Sequence, residues 1–99
     1  AKAAADDLTS RGVRSLAVRC DVRDDASVDA VFDAAKVEFG GIDLLFNNAG
    51  VYLGGEMKDC TLDDWRFVLD VNLDGVFRFG QRAAAFLRGQ NEREAGRGG

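Results

Sequence analysis

Segments with helix and strand patterns alternate along this chain, and that order constrains the fold more than any other feature. The pattern predicts, in order, a helix over residues 1 to 11, a strand over 13 to 22, a helix over 28 to 39, a strand over 42 to 46 and a helix from Thr61. Alternating strands and helices favour a parallel sheet with right-handed crossovers. The predicted fold class is therefore α/β, with about two strands and three helices.

The two strand patterns differ in how their apolar residues are spaced. In residues 13 to 22 the apolar side chains recur at every second position, which is typical of a strand with one buried face, as at a sheet edge. Residues 42 to 46 form a short and almost continuous apolar run, which predicts burial on both faces. The one-sided pattern consists of Leu16, Val18, Cys20 and Val22.

Local signals predict where the helices begin and end. Gly12 stands where a left-handed cap would end the first helix, and Ser27 or Asp25 is the candidate N-cap of the second. Thr61, with Asp64 three residues later, resembles a capping box. From Arg88 onward there is no large apolar residue, so we expect a frayed tail there.

Both longer helices have an apolar face at helical spacing. Gly75 and Gly80 are places where the longer one could loosen or kink. The face of the second helix consists of Val28, Val31, Phe32, Ala35 and Phe39. The face of the third consists of Trp65, Val68, Asn72, Val76, Phe79, Ala83 and Phe86.

Composition excludes several classes of function. The chain has 99 residues, enough for one domain, and its net charge of −4 argues against binding a nucleic-acid backbone. It has no histidine, and its two cysteines, Cys20 and Cys60, form no C-x-x-C pair, so we predict no metal site. No apolar run approaches the roughly 20 residues of a membrane span. We therefore expect no membrane partner, reduced thiols and a cytoplasmic location.

The residues at the carboxyl ends of the two predicted strands are suited to binding a ligand. One strand ends at Asp21 and Val22, and the other runs into Asn47-Asn48-Ala49-Gly50. Ligands of open parallel sheets bind at this edge, and small residues let a flat ligand approach the backbone. The alternative is a simple strand-ending turn, since Asn and Gly are common turn residues.

Asn72 interrupts an apolar helical face between Val68 and Val76. One interpretation is a structural asparagine that satisfies backbone groups of a loop or helix. The other is a residue that holds a water near a catalytic centre, for example through its own carbonyl in a kinked turn. The residues alone leave both open.

Three blocks in order resemble the short-chain dehydrogenase/reductase family. They are C-D-V, then F-G-G-I-D-L-L-F-N-N-A-G, then W-x-x-V-L-D-V-N-L-D-G-V-F. The resemblance covers residues 1 to about 90 and implies a partial Rossmann-type, doubly wound parallel sheet that binds NAD or NADP. It implies hydride transfer between that cofactor and a small-molecule alcohol or carbonyl substrate, in a parent protein that forms a homo-oligomer.

The resemblance also implies roles for individual residues. Asp21 is expected to meet the amino group of adenine, with Val22 beside the ring. Asn48, Ala49 and Gly50 are expected to line the central cofactor pocket. Asn72 matches the asparagine of the family's catalytic Asn-Ser-Tyr-Lys set, where it anchors a water in a proton relay.

The chain also departs from the family pattern. It contains neither T-G-x-x-x-G-x-G nor Y-x-x-x-K: Tyr52 is its only tyrosine, and Glu56 stands four residues later. The two predicted strands would be the third and fourth of the order 3-2-1-4-5-6, with two others between them. We therefore expect residues 1–90 to be a partial NAD(P)-binding domain and 91–99 a disordered polar tail, in a chain that folds weakly and is inactive alone.

Two alternatives belong to other classes. The first is a non-catalytic interaction fragment that binds a partner through the helical face of residues 61–90. The second is a ligand-binding module of flavodoxin type, which the three blocks disfavour.

Overall fold

The computed structural model describes residues 1–94. Its helices are α1 (Lys2–Ser10), α2 (Asp25–Phe39), α3 (Leu62–Leu69) and α4 (Gly75–Arg93), with a 3₁₀ turn at Met57–Asp59 and a π-helical turn at Asp70–Asp74. The π turn joins α3 directly to α4, so the long helix predicted from Thr61 is interrupted just before Gly75.

Helix α1 ends as its sequence predicts. Gly12 has a φ of +83°, in the left-handed region. Its N–H donates to the carbonyl of Thr9, and the N–H of Val13 donates to the carbonyl of Leu8. This pair of bonds is the Schellman arrangement, which satisfies carbonyls that the helix leaves free at its end.

The N-cap of α2 is Asp24, so the prediction of Ser27 or Asp25 is wrong: Asp24 lies one residue before Asp25 and three before Ser27. Asp24 has an extended backbone, and its carboxylate accepts a hydrogen bond from the N–H of Ser27 at 3.2 Å. The Ser27 hydroxyl instead accepts from the N–H of Asp21 at 2.9 Å. The cap of α3 is as predicted, since the Thr61 hydroxyl accepts from the N–H of Asp64 at 3.1 Å.

The two predicted strands are not confirmed. Residues 13–21 and 44–54 are neither helical nor in a ladder, and no backbone hydrogen bond within residues 1–94 joins these two regions. A strand exists only where a second strand pairs with it. In the strand order implied by the resemblance these two segments are not neighbours, so neither segment can form backbone hydrogen bonds with the other as a sheet partner.

Burial on both faces of residues 42–46 is also not observed. Ile42 and Leu45 are half-buried, whereas Leu44 is 72% exposed and Phe46 is 81% exposed. The apolar run therefore contacts the helices on one side only.

The core lies between α2 and α4. Val28, Phe32 and Ala83 are its buried residues. The rings of Phe79 and Phe86 lie 5.7 and 6.0 Å from that of Phe32, in tilted arrangements. These two rings therefore face the chain's own core.

Ion pairs also join α4 to the π turn and to α2. Arg78 pairs with Asp70 at 2.8 Å, Arg82 pairs with Asp25 at 2.9 Å, and Arg82 also pairs with Asp29. These carboxylates raise the pKa of both guanidinium groups above its usual value. Arg82 and its two partners are more than 50 residues apart in sequence, so no local pattern predicts the pairs.

Helix α4 continues to Arg93, so the expected fraying from Arg88 is wrong for Arg88–Arg93. The reason is Gln90, which is 1% exposed. Its Oε1 accepts from the N–H of Ile42 at 3.1 Å, and its Nε2 donates to the carbonyl of Ile42 at 2.7 Å. The remainder of the predicted tail, 95–99, lies outside the described residues.

Candidate functional site

Residues from both extended segments line one hollow. Asp21 and Val22 form one side, Ala49 and Gly50 form the other, and the volume is about 460 Å³. We call it the Asp21 hollow. Four of the five predicted cofactor residues therefore lie together.

Asn48, the fifth, lies in a smaller neighbouring hollow of about 100 Å³. This hollow also contacts Val22, Gly75 and Phe79. Gly75 brings the start of α4 close to the end of the first segment, because a Cβ at this position would lie 2.9 Å from Val22 Cγ2.

The carboxylate of Asp21 is fixed by Arg23. Oδ1 accepts from the backbone N–H and the Nε of Arg23, both at 3.0 Å, and Oδ2 accepts from the second guanidinium nitrogen at 2.9 Å. These hydrogen bonds lower the pKa of Asp21 to about 2. The acid is therefore ionised throughout the physiological range.

Arg23 is itself held over an aromatic ring. Its guanidinium carbon lies 5.0 Å from the centre of the Phe67 ring, at a distance typical of a cation–π contact. Sequence reasoning gave Arg23 and Phe67 no role at the site. The available signal was the position of Arg23 two residues after Asp21, where an arginine can reach back to a carboxylate.

Asn72 lies in the middle of the π turn, and its side chain is bound to the backbone of Val51. Its Oδ1 accepts from the N–H of Val51 at 2.7 Å, and its Nδ2 donates to the carbonyl of Val51 at 2.8 Å. Gly50 lies directly beside it, since a Cβ there would be 3.5 Å from Oδ1. The amide thus fixes the chain immediately after Asn47-Asn48-Ala49-Gly50.

Another cavity, of about 440 Å³, opens next to Asn72. We call it the Asn72 cavity. The loop of residues 51–57 forms one wall, and Trp65 and Val68 of α3 form the other. The apolar pattern placed Trp65 and Val68 on a single core face with Phe79, whereas the structure places them at this cavity.

Residues 1–94 contain no group of three or more His, Cys, Asp or Glu side chains that could hold a metal ion. Nor does this part of the chain include a helix of the length and apolarity needed to cross a bilayer.

Comparison with known proteins identifies the family. The family model described as enoyl-(acyl carrier protein) reductase matches residues 1–95. The chain is 41% identical, over 76 residues, to 3beta-hydroxysteroid dehydrogenase 1 of Eggerthella lenta, which covers 77% of this chain. The chain belongs to the short-chain dehydrogenase/reductase family. It spans 29% of the length of that dehydrogenase.

Solved short-chain dehydrogenases/reductases share the path of this backbone. One from Burkholderia phymatum in complex with NAD superimposes with a TM-score of 0.86 at 40% identity, over 91% of this chain and 32% of its own. Another from Burkholderia cenocepacia in complex with NADP gives 0.80 at 35% identity, over 86% of this chain and 35% of its own. The chain therefore follows the Rossmann-type path of the family, although no ladder forms within the described residues.

Proposed function

We propose that this chain forms the adenine-binding side of an oxidoreductase that transfers hydride between NAD or NADP and an alcohol or carbonyl substrate. The observation that carries the proposal is the Asp21 hollow, where Asp21 and Val22 meet Ala49 and Gly50. Parallel sheets bind nucleotides outside the carboxyl ends of their strands, which is where these residues lie in sequence. The Eggerthella relative, a hydroxysteroid dehydrogenase by name, supports a CH–OH group as the reacting group.

The residues of the Asp21 hollow are suited to an adenosine group. The Asp21 carboxylate accepts hydrogen bonds, which suits the amino group of adenine. Val22 and Ala49 offer small apolar surfaces for a ring, and Gly50 has no side chain to obstruct it. When bound, the nicotinamide cofactor supplies or accepts the hydride.

In this proposal Asn72 acts on the catalytic side of the site. Its side chain fixes Val51 through two hydrogen bonds, so the loop wall of the Asn72 cavity has a defined position. Its backbone carbonyl, in the π turn, is the atom we assign to anchoring a water of the proton relay. π turns within helices are frequent at functional sites, which supports this assignment.

The test of the cofactor site is a titration of the ¹⁵N-labelled chain with NADH and NADPH, followed by NMR. We expect resonance shifts at residues 19–23 and 48–51, and their loss in Asp21→Asn. The matched control is Asp6→Asn, which removes an exposed carboxylate from α1. Shifts confined to α1 and α2, or an unchanged response in Asp21→Asn, would contradict the proposed site.

We also propose that residues 1–99 alone do not turn over substrate. General acid catalysis needs a positioned proton donor, and the sequence has no Y-x-x-x-K pair to provide one. The measurement is oxidation of NADH by the purified chain with a panel of ketones. Turnover above the rate without protein, abolished by Asn72→Ala, would sink this proposal.

The exposed face of α4 favours a second candidate function, assembly with a partner. Phe77 is 65% exposed and lies four residues after Leu73, which is also exposed. We propose that this face mediates homo-oligomerisation. Light scattering tests it: Phe77→Asp should lower the assembled mass, whereas Phe79 and Phe86 are unsuitable because both pack against Phe32. An unchanged mass would leave only the cofactor proposal.

The free thiols of Cys20 and Cys60 support a reducing compartment, and we propose the cytoplasm.

A further inference from the structure

Arg23 uses most of the hydrogen-bonding capacity of Asp21. A carboxylate has about four acceptor positions on its two oxygens. The backbone N–H and Nε of Arg23 fill two positions on Oδ1, and its second guanidinium nitrogen fills one on Oδ2. One acceptor position, on Oδ2, is left by these three bonds.

The orientation of that last position is fixed from two sides. The Arg23 guanidinium rests on the Phe67 ring at 5.0 Å, so the arginine is held between the acid and the ring. The backbone of Asp21 is fixed as well, because its N–H donates to the Ser27 hydroxyl and its carbonyl accepts from the N–H of Asp24 at 3.0 Å. Asp21, Arg23 and Phe67 all line the Asp21 hollow.

We propose that Arg23 is a positioning residue for base selectivity: it holds Asp21 so that the remaining Oδ2 position accepts the amino group of adenine and rejects a base with a carbonyl there. This inference rests on the proposed function, since it requires that the Asp21 hollow binds the base. Hypoxanthine would place its carbonyl oxygen against a carboxylate oxygen, so two acceptors would meet without a proton between them. Sites built to pair with one polar group reject analogues that lack it.

The test compares adenosine with inosine, in which a carbonyl replaces the amino group of the base. Neither contains phosphate, so the result does not depend on a phosphate-binding loop. Dissociation constants come from NMR titration of the labelled 99-residue chain. We expect adenosine to bind roughly tenfold more tightly than inosine, a ratio within the range of one hydrogen bond to a charged group.

Substitutions of Arg23 should change the ratio of the inosine to the adenosine dissociation constant, and not only the affinity for adenosine. In Arg23→Ala the carboxylate can rotate, and we expect the preference to fall to about twofold or less. Arg23→Lys should give an intermediate ratio, because an ammonium group is a point charge without the planar fork of arginine. Phe67→Leu should also lower the ratio, but by less, because it removes the aromatic ring and leaves the Arg23 guanidinium group in place.

Arg88→Ala is the matched control. Arg88 is an exposed arginine of α4 that pairs with Glu92 and does not line the Asp21 hollow, so its loss removes one positive charge away from the site. We expect its ratio to equal that of the unmodified chain. Circular dichroism verifies helix content for each variant, and if Arg23→Ala does not fold, Arg23→Lys and Phe67→Leu still decide the question.

The outcomes separate the two proposals. If the unmodified chain binds neither nucleoside at the Asp21 hollow, the proposed function fails and the role of Arg23 fails with it. If the unmodified chain prefers adenosine and the Arg23 variants keep the full ratio, the cofactor site stands and the positioning role is overturned. A reduced ratio in the Arg23 variants, with an unchanged ratio in Arg88→Ala, supports both.

Discussion

The two extended regions of this chain, residues 13–22 and residues 42–51, are held in different ways. In the second, each end is bound by a side-chain amide: Gln90 pairs with both the N–H and the carbonyl of Ile42, and Asn72 does the same at Val51. A primary amide carries a donor and an acceptor side by side, so it can satisfy one residue as a neighbouring strand would.

The first region is held by separate groups instead. The N–H of Asp21 donates to the Ser27 hydroxyl at 2.9 Å, the carbonyl of Asp21 accepts from the N–H of Asp24 at 3.0 Å, and Arg78 donates to the carbonyl of Val22 at 3.2 Å. A hydroxyl or a guanidinium group satisfies one backbone group at each place. The comparison shows that helices can fix an extended segment without a ladder, and that an amide does so most completely.

The largest expected effect is at Gln90. Gln90→Leu replaces the amide with an apolar side chain of similar size. It leaves the N–H and the carbonyl of Ile42 without their partners. We expect the free energy of unfolding to fall by about 2–4 kcal/mol, since each unsatisfied buried group costs roughly 1–3 kcal/mol. Urea denaturation measures it. Equal stability of Gln90→Leu and the unmodified chain would contradict the role of the amide.

The next effect concerns the end of the first region. Gly75→Ala would place a Cβ 2.9 Å from Val22 Cγ2. We expect a loss of about 1–3 kcal/mol, as for other overpacked positions. The matched control is Gly80→Ala in the same helix, where nothing lies within 4 Å of the added Cβ. Because alanine favours a helix, that variant should gain about 0.5–1 kcal/mol, and the same sign in both variants would contradict the close contact.

A smaller loss is expected at Asn72, because this amide is more exposed than Gln90. Asn72→Ala should cost about 1 kcal/mol, the net value of ordinary hydrogen bonds. The sharper measurement is hydrogen exchange of the Val51 amide. Exchange should become faster in Asn72→Ala and should change much less in Gln90→Leu. Unchanged exchange at Val51 would show that the loop is held by something else.

The smallest effect is the pH dependence at Asp21. Its carboxyl pKa falls from 3.8 to about 2 on folding, through the hydrogen bonds from Arg23. A depressed pKa stabilises the fold fully above 3.8, and this contribution is lost as the pH falls toward 2. The loss of stability between pH 5 and pH 2 should therefore be less steep in Asp21→Asn than in the unmodified chain. Parallel curves for the two proteins would show that Asp21 is not linked to folding.

Local sequence signals predicted the parts of the fold that depend on neighbouring residues. Gly12 and Thr61 act within four residues of themselves, and both caps are as expected. The pairs of Gln90 with Ile42 and of Asn72 with Val51 span 48 and 21 residues, and no periodicity indicates them. The prediction that a polar stretch frays failed at Gln90 for this reason, since a polar side chain is stable inside the protein when both its groups are paired.

The candidate site was predictable to a similar degree. Asp21 and Asn48-Ala49-Gly50 were proposed because they follow the predicted strands and because they match blocks of the family. Most of these residues line one hollow. Arg23, which holds Asp21, lies two residues after it and was within reach of local sequence reasoning, whereas the Phe67 ring beneath Arg23 comes from a distant helix and was not predictable. The prediction of a single apolar face from Trp65 to Phe86 is also wrong. Apolar residues spaced three and four apart share one face only if the α-helix is uninterrupted.

The π turn at Asp70–Asp74 has a geometric consequence for that helical face. An α-helix advances about 100° per residue, so a wider turn changes the angle at which all later side chains project. Trp65 and Val68 consequently point toward one compartment, and Phe79 and Phe86 toward another. The helical stretch thus contributes its first half to the wall of the Asn72 cavity and its second half to the protein interior.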